Sequence, residues 1–239
     1  MITKGIATIK AMCEKEMCVP LFIVLSGSRG WGIYSDDSDF DIRFVYAYPA
    51  KQYLAIKWKT KDTMTNINGG LDIHGWDIRK ALDLYMSSNC TIIGWLKSPL
   101  LYESEYKLYS WMNDNINKYF SPIKGIYHYC NMARSDLKSM GNGDVKAFKQ
   151  FRRAISICEY IMDKKVHPTM NYEFVKDYYP KLVCDNLIES CNRHINKINS
   201  ELISNRDEYI SNIAPVDISN INKWFHDCVV KIQGDRIWA

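Results

Sequence analysis

Residues 26–41 read SGSRGWGIYSDDSDFD, and this stretch decides the fold prediction because it joins two segments that are typical of strands. The segment before it, LFIVL at 21–25, is a run of apolar residues between Pro20 and a glycine-rich turn. Such a run predicts a strand that is buried on both faces. The segment after it, DIRFVYAY at 41–48, is rich in β-branched and aromatic residues and predicts a second strand.

Two carboxylates, Asp39 and Asp41, stand at positions i and i+2 where the second strand begins. Side chains at these positions project from the same face of a strand, about 6 to 7 Å apart. Mg²⁺ is usually held by one or two carboxylates together with substrate phosphates, so the pair predicts a phosphate-bearing substrate. Gly27 and Ser28 complement it, because backbone N–H groups and a hydroxyl at a strand end contact phosphate oxygens, especially where a helical turn begins. The alternative is an acidic loop beside an ordinary flexible turn.

The first third of the chain is mostly β after one helix. Apolar positions in residues 2–17 recur with a helical period and predict an amphipathic opening helix. Residues 55–60 and 63–67 alternate in strand fashion, and 71–76 predict another short strand.

From Asp77 onward the period is 3.6, and Asp77 itself occupies a plausible N-cap position. Helices are predicted at 78–87, 91–97, 104–119, 123–140, 144–164, 180–204 and 217–233. The sequence therefore predicts an α+β fold, with an α/β head over residues 1–102 and a helical body over 103–239.

Composition excludes several classes of protein. A chain of 239 residues that is 47% hydrophobic and 24% charged is typical of a globular protein and not of a disordered polyelectrolyte. It contains no apolar stretch near the ~20 residues of a bilayer span, and its charged start does not resemble a secretory signal. We therefore expect a cytoplasmic protein with no membrane partner and with its eight cysteines reduced. The formal net charge of +4 permits a polyanionic partner.

The motifs resemble a known family. Gly27 and Ser28, followed by SDFD at 38–41, are similar to the GS…(S)DxD signature of the DNA polymerase β superfamily of nucleotidyltransferases. The ordered runs GSRGWG…DSDFDIRFVY, GWDIRKALDLYMSSN and WLKSPLLY more closely resemble a bacterial and phage branch, the predicted nucleotidyltransferases associated with RNA ligases and RNA repair. The resemblance covers residues 21–102 well and the helical remainder loosely. It implies a polymerase-β-like mixed sheet with helices.

The resemblance also implies a two-metal transfer, in which a nucleoside triphosphate such as ATP lies on the GS turn and three carboxylates hold Mg²⁺. Mn²⁺ is a possible substitute. Asp39 and Asp41 match the first two carboxylates, as catalytic and metal-binding residues. The third is Asp72 or Asp77, and superfamily order favours Asp72 because it places this group on a strand beside the DxD strand. Asp77 has an alternative role as the cap of the following helix.

A further set of residues is expected to bind the nucleotide: Gly27, Ser28, Arg29, Ser38, Lys146 and Arg153. The last two belong with Lys149 to positions i, i+3 and i+7 of one helical face. They resemble a basic helix motif of the branch and are expected to contact the triphosphate or RNA phosphates. A solvated surface is the alternative.

Weaker candidates lie nearby. Arg43 is a candidate for phosphate contact, and Trp31 or Tyr34 for stacking on a base. His74 is a candidate for substrate contact, although a histidine near a sheet is more often a packing residue. Gly94 replaces the glutamate of the branch's EWL segment, which argues against an acidic role there.

The expected activity is Mg²⁺-dependent transfer of a nucleoside monophosphate to an RNA end, such as that of a tRNA, in RNA repair. The family association also implies a functional link with an RNA ligase. One alternative acceptor is a protein hydroxyl or a small molecule, as in AMPylation. Another alternative is a catalytically silent protein that holds nucleotide or RNA, but the intact Ser28, Asp39 and Asp41 argue against it.

Overall fold

The computed structural model describes residues 1–57, 60–142, 145–171, 187–211 and 216–235. The chain forms two compact units: Met1–Ser87, Ser98–Ile116 and Pro215–Ala239 make the first, and Ser88–Lys97 and Asn117–Ala214 the second. The predicted α+β fold class is confirmed. The predicted domain division after residue 102 stays a prediction.

The first unit contains a five-stranded mixed sheet. Its strands are β1 (Val19–Leu25), β2 (Phe40–Ala47), β3 (Thr63–Asn68), β4 (Leu71–Asp77) and β5 (Leu100–Glu103). The order across the sheet is β3-β4-β2-β1-β5, and β2 pairs with β4 in parallel while the other neighbours are antiparallel. Residues 21–24 of β1 are all buried, which confirms the predicted strand with two covered faces.

In the described part of the chain, the helices are α1 (Ile2–Lys15), α2 (Gly27–Gly30), α3 (Ala50–Tyr53), α4 (Ile78–Met86), α5 (Cys90–Leu96), α6 (Leu108–Asp114), α7 (Ile116–Tyr119), α8 (Pro122–Gly141), α9 (Val145–Lys164), α10 (Leu187–Ser204), α11 (Arg206–Ser211) and α12 (Ile218–Asp235). Most predicted helices are confirmed closely. The first part of the helix predicted at 180–204, residues 180–186, lies outside the described residues. None of the described helices has the length and apolarity that a membrane span requires.

Two sequence predictions about elements are wrong. Of the strand predicted at 55–60, the described residues are not in a strand, and Ile56 is fully exposed, so the alternation there has no core to face. The helix predicted at 104–119 starts late and is split into α6 and α7. The backbone N–H of Ser104 is still bonded to β1, and Lys107 has a left-handed backbone with φ 57°.

The hydrophobic core of the first unit lies on the face of the sheet that α1 covers. Buried residues of that core include Ile9, Cys13, Ile23, Ile42, Phe44, Tyr46 and Ile73. Ile42 on β2 and Ile73 on β4 are in-register neighbours. Because side chains alternate along a strand, the residues beside them, Asp41 and Asp72, project from the opposite face. This alternation leaves Asp41 and Asp72 outside the core that α1 covers.

The last helix, α12, also belongs to the first unit and packs against α3 and α4. The rings of Phe225 and Tyr53 meet edge to face, with their centroids 5.4 Å apart. The Gln233 side-chain oxygen accepts a bond from the Lys51 backbone N–H at 3.0 Å. The first unit is therefore completed by a segment far along the chain.

The second unit is helical, and its main contact is between α8 and α9. Its interior includes His167, whose Nε2 lies 2.6 Å from the Tyr129 hydroxyl. Burial lowers the pKa of His167 to about 4, so the ring is neutral and structural at physiological pH. In both units together, the seven cysteines that the structure describes are buried and none forms a disulfide, while Cys184 lies outside the described residues.

Candidate active site

The turn after β1 places Gly27 directly against Asp41. Gly27 begins α2 with φ 63°, in the left-handed region that favours glycine. A Cβ on this residue would collide with the carboxylate of Asp41. The backbone N–H of Ser26 also donates to the Asp41 carbonyl oxygen at 2.7 Å. The helical turn expected at Gly27 and Ser28 is therefore present, and its first residue fits only as glycine.

Asp41 and Asp72 are brought side by side by the sheet, since they are in-register neighbours on the parallel strands β2 and β4. Arg43 Nη2 lies 2.7 Å from Asp41 Oδ1 and 2.9 Å from Asp72 Oδ2. Asp39 is exposed and lies one residue before β2, beside the turn at Gly70. The structure thus brings Asp41 and Asp72 together at the same end of β2 and β4, with Arg43 between them, and places Asp39 in the loop just before β2.

Burial and the neighbouring charges both shift the pKa of the Asp41 carboxyl. Burial is the largest cause that raises the pKa of its carboxyl above the usual value. The Arg43 guanidinium lowers this pKa, whereas the nearby charges of Asp72 and Asp39 raise it again. A cation placed among these carboxylates would oppose both the burial and the repulsion, because it favours their charged forms.

Two of the three carboxylates offer donor oxygens that fit a metal ion. Over the residues that the structure describes, no group of three or more His, Cys, Asp or Glu side chains is arranged to hold one. Asp41 and Asp72 nevertheless each direct an oxygen to the same Arg43 nitrogen, so the two oxygens already converge on one cationic group. Carboxylate oxygens are the donors that Mg²⁺ and Mn²⁺ prefer. The donor chemistry of these two residues fits a hard divalent cation, and the participation of Asp39 stays a prediction.

His74 lies two residues beyond Asp72, on the same face of β4. Its Nε2 accepts a bond from Trp76 Nε1–H at 2.9 Å, which assigns the ring proton to Nδ1. Burial first, and the positive charge of Arg43 second, lower the pKa of His74. His74 is therefore neutral at pH 7, and its contact with substrate stays a prediction.

Arg29 and Ser38 both make contacts within the loop between α2 and β2. The Arg29 guanidinium lies 3.9 Å from the centre of the Phe40 ring, and its Nε donates to the Ser38 carbonyl oxygen at 3.0 Å. The Ser38 hydroxyl accepts from the backbone N–H of Ser35 at 3.0 Å. These bonds hold the loop that carries Asp39. The nucleotide contacts expected of Arg29 and Ser38 stay predictions.

The two aromatic candidates for base stacking differ in exposure. Trp31 is only 3% exposed, so the expectation that it offers a ring face to a base is wrong. The reason is that the helical turn of α2 ends at Trp31 and carries its indole into the core. Tyr34 is 53% exposed, with Arg29 over its ring, and its stacking on a base stays a prediction.

The basic face at Lys146, Lys149 and Arg153 is on α9, in the second unit. Lys146 and Lys149 are exposed, whereas Arg153 is half-buried and close enough to Tyr129 to influence its pKa electrostatically. The opposite side of α9 is buried, for example at Phe151. A shared basic face is therefore present, and its contact with triphosphate or RNA stays a prediction.

Asp77, the alternative third carboxylate, is fully occupied by structural bonds. Its Oδ1 accepts from the Arg79 backbone N–H at 2.9 Å, which confirms the predicted N-cap of α4. Its Oδ2 accepts from the Tyr53 hydroxyl at 2.6 Å, and the residue is 2% exposed. Burial raises the pKa of Asp77 to about 6.

Asp77→Asn tests this structural role through the pH dependence of stability. Because the folded-state pKa of about 6 lies above the ordinary value of 3.8, the neutral form stabilises the fold. This stabilisation is present below about pH 4 and is lost as the pH rises through 6. Asparagine carries no charge; its amide oxygen still accepts from the Arg79 N–H, and its amide N–H group faces the Tyr53 hydroxyl oxygen as a donor. We therefore expect the free energy of unfolding of the variant, relative to wild type, to improve by about 2 kcal/mol between pH 4 and pH 7.

Urea denaturation across this pH range provides the measurement, with Asp83→Asn as a matched exposed control on α4. If the stability of Asp77→Asn and that of the wild type depend on pH in the same way, the raised pKa of the buried Asp77 carboxyl is contradicted.

The bridging position of Arg43 was not predicted. The sequence carries a signal for it, since Arg43 stands two residues after Asp41 on a strand and must share its face. The same holds for the glycine turn at Gly70, which lies between two predicted strands and comes to rest beside Asp39. These residues come into contact only through the pairing of strands, which cannot be read from the local sequence.

Known proteins that are similar to this chain include a partial sequence match and a weak structural match. The uncharacterized protein YcgL of Bacillus subtilis (strain 168) is 35% identical over 155 residues, which are 64% of this chain. The match spans only 60% of the Bacillus protein's own length. The crystal structure of a nucleotidyltransferase-like protein from Exiguobacterium sibiricum 255-15 superimposes with a TM-score of 0.34 and 10% identity, over 88% of this chain and 78% of that one. A likeness at this TM-score supports no functional argument.

A protein family matches most of the chain. The RlaP family, described as the RNA repair pathway DNA polymerase beta family, matches residues 1–207. This match includes the GS turn, all three carboxylates and the basic helix, and it confirms the resemblance that the motifs indicate. The chain therefore belongs to the RNA repair pathway DNA polymerase beta family.

Proposed function

We propose that this protein is a Mg²⁺-dependent nucleotidyltransferase that moves a nucleoside monophosphate from a nucleoside triphosphate to an RNA end. The observation that carries the proposal is the convergence of Asp41 and Asp72 on one cationic group beside the Gly27 turn. Membership of a polymerase-β family linked to RNA repair supports the reaction class and the RNA acceptor.

The proposed site has a carboxylate part and a phosphate part. Asp41 and Asp72, with Asp39, would hold Mg²⁺, which when bound would neutralise charge on the reacting phosphate oxygens. The turn that begins at Gly27 would direct the backbone N–H groups that precede its first intrahelical bond, from Gly30 N–H to the Ser26 carbonyl oxygen, to the phosphates. Because Gly27 touches the Asp41 carboxylate, phosphate and carboxylate groups are held next to each other by the same turn.

The proposed step is an exchange at the α-phosphorus. The acceptor hydroxyl oxygen forms a bond to this phosphorus, the bond to the β-phosphate oxygen breaks, and pyrophosphate leaves. The hydroxyl proton passes to water. Positioning of the two reactants by the chain supplies much of the acceleration in such a step, since it makes the encounter effectively intramolecular.

The direct test incubates the purified protein with each labelled nucleoside triphosphate, Mg²⁺ and a mixed pool of RNA ends. The expected result is that label is transferred to RNA in the presence of Mg²⁺ and that no transfer occurs when EDTA is included in the reaction. Label on protein would favour AMPylation, and label on a small molecule would favour the other alternative acceptor. Nucleotide binding without any transfer would favour the catalytically silent protein.

The basic face of α9 gives a separate prediction. If Lys146 contacts the triphosphate, Lys146→Ala should raise the KM for nucleotide about tenfold, because a charge-assisted bond typically contributes about 1.5–3 kcal/mol. RNA affinity should then be unchanged at both low and high salt. Arg153→Ala is expected to act in the same way. We favour this outcome over direct contact with RNA.

The same two measurements separate the alternatives. Contact with RNA phosphates would instead weaken RNA binding and flatten its salt dependence. Lys164→Ala is the matched control, since Lys164 is on the same helix and is paired with Asp163 at 3.1 Å. If Lys146→Ala and Lys164→Ala both leave KM and RNA affinity unchanged, the face is merely solvated.

A further inference from the structure

The Arg43 guanidinium donates hydrogen bonds to four acceptors in the candidate site. Its Nη2 donates to both carboxylates, Asp41 at 2.7 Å and Asp72 at 2.9 Å. Its Nη1 donates to the backbone carbonyl oxygen of Asp72 at 2.7 Å and to that of Ile42 at 3.2 Å. The Arg43 side chain is 17% exposed, and those of Asp41 and Asp72 are 25% and 35% exposed, so these bonds are partly shielded from water.

The sheet itself creates the need for this cation. In-register neighbours on adjacent strands are about 5 Å apart, so the paired Asp41 and Asp72 would repel each other strongly without an intervening positive charge. Arg43 shares their face because it follows Asp41 by two positions. The arginine therefore balances, within the chain, one of the two negative charges that a divalent cation would balance.

We propose that Arg43 is an internal counterion that occupies the cation position between Asp41 and Asp72 and competes with the divalent metal for it. This inference rests on the proposed function. Metal entry requires Nη2 to leave both carboxylates. The Nη1 bond to the Asp72 carbonyl oxygen involves neither carboxylate, so the side chain stays anchored beside the site when Nη2 is displaced. Arg43 thus reduces the net charge of the Asp41 and Asp72 pair from −2 to −1 before metal arrives, and the affinity of the site for metal alone is kept low.

The first test measures Mn²⁺ binding without nucleotide, by titration calorimetry or by loss of the free-ion EPR signal. Arg43→Gln removes the competing charge and should bind Mn²⁺ at least about tenfold more tightly than wild type. Arg79→Gln is the matched control, because it removes the same charge from an exposed position on α4 and should leave Mn²⁺ affinity unchanged. Equal or weaker binding by Arg43→Gln would overturn the inference.

The second test measures melting in EDTA and needs neither metal nor activity. Arg43→Gln should lower the melting temperature, because Asp41 and Asp72 then repel each other without a counterion. Adding Asp72→Asn should recover much of the loss, since only the charge of Asp41 then remains. A purely packing role for Arg43 would make the two changes additive and overturn the inference. If Arg43→Gln alone does not fold, the Arg43→Gln/Asp72→Asn double variant carries the Mn²⁺ measurement: it should bind Mn²⁺ more tightly than Asp72→Asn alone, and equal or weaker binding would overturn the inference.

Failure of the counterion and failure of the proposed function give different results. In one case, wild type and Arg43→Gln bind Mn²⁺ saturably and equally, and Asp41→Asn does not bind it. This result would exclude the counterion role of Arg43 and support the metal site. Absence of saturable Mn²⁺ binding from both proteins, with and without nucleotide, removes the metal site and the inference together.

Discussion

Asp41→Asn should yield a folded protein without measurable turnover. Asparagine matches the shape of aspartate and keeps an acceptor for Arg43, but it loses the charge that would hold the metal ion. Metal stabilisation of a phosphoryl-transfer transition state is worth several kcal/mol, so we expect a loss of about a thousandfold or more in rate. Asp39→Asn should show the same loss, since the superfamily signature pairs it with Asp41.

Turnover of labelled nucleotide and thermal melting should be measured on the same preparations. Melting should change little in Asp41→Asn, because removing one of two neighbouring carboxylates relieves repulsion while it weakens the bond to Arg43. Asp83→Asn, an exposed aspartate of the same unit, is the control and should keep full activity. Wild-type rates in either Asp41→Asn or Asp39→Asn would overturn the assignment of that residue.

The second large effect is expected to separate Asp72 from Asp77. Asp72→Asn should reduce turnover at least about a hundredfold, because it removes the neighbour of Asp41 in the proposed metal site. Asp77→Asn should keep turnover, because both bonds of Asp77 are structural and asparagine also caps helices. Single-turnover rates for the two variants at saturating Mg²⁺ make the comparison.

The reverse pattern, with Asp77→Asn inactive and Asp72→Asn active, would make Asp77 the third carboxylate. Asp77→Ala provides a stability reference, since it loses the cap and leaves the buried Tyr53 hydroxyl without its acceptor. That variant should lose about 2 to 3 kcal/mol of folding free energy. A folding defect and a chemical defect at position 77 can therefore be told apart.

The centre of the candidate site could be predicted because its geometry follows from strand alternation. The sequence places Asp41 on a strand after a glycine turn, and Asp72 on a later strand, and β2 and β4 bring them into register. The Arg43 bridge and the burial of Trp31 depend on which strands and helices lie alongside. Those are tertiary facts, and no local pattern in the sequence determines them.

The missed elements have a similar explanation. β5 is a short strand with an exposed Leu100, and it exists because β1 offers it backbone partners at one edge. Residues 55–57 alternate in strand fashion but pair with no strand in the described part of the chain, and they are exposed. Whether a short apolar or alternating segment forms a strand depends on a neighbouring strand with which it can pair. A long helix such as α8 can be predicted from its own periodicity.

The contribution of α12 to the first unit affects the order in which the protein can fold during synthesis. The segment Ser98–Ile116 leaves the ribosome well before α12, which packs against α3 and α4 through Phe225 and Gln233. At 5–20 residues per second, the roughly 100 intervening residues take about 5 to 20 s to make. The nascent sheet unit spends that interval with the α12-facing sides of α3 and α4 uncovered, while the helices of the second unit emerge and are free to pack first.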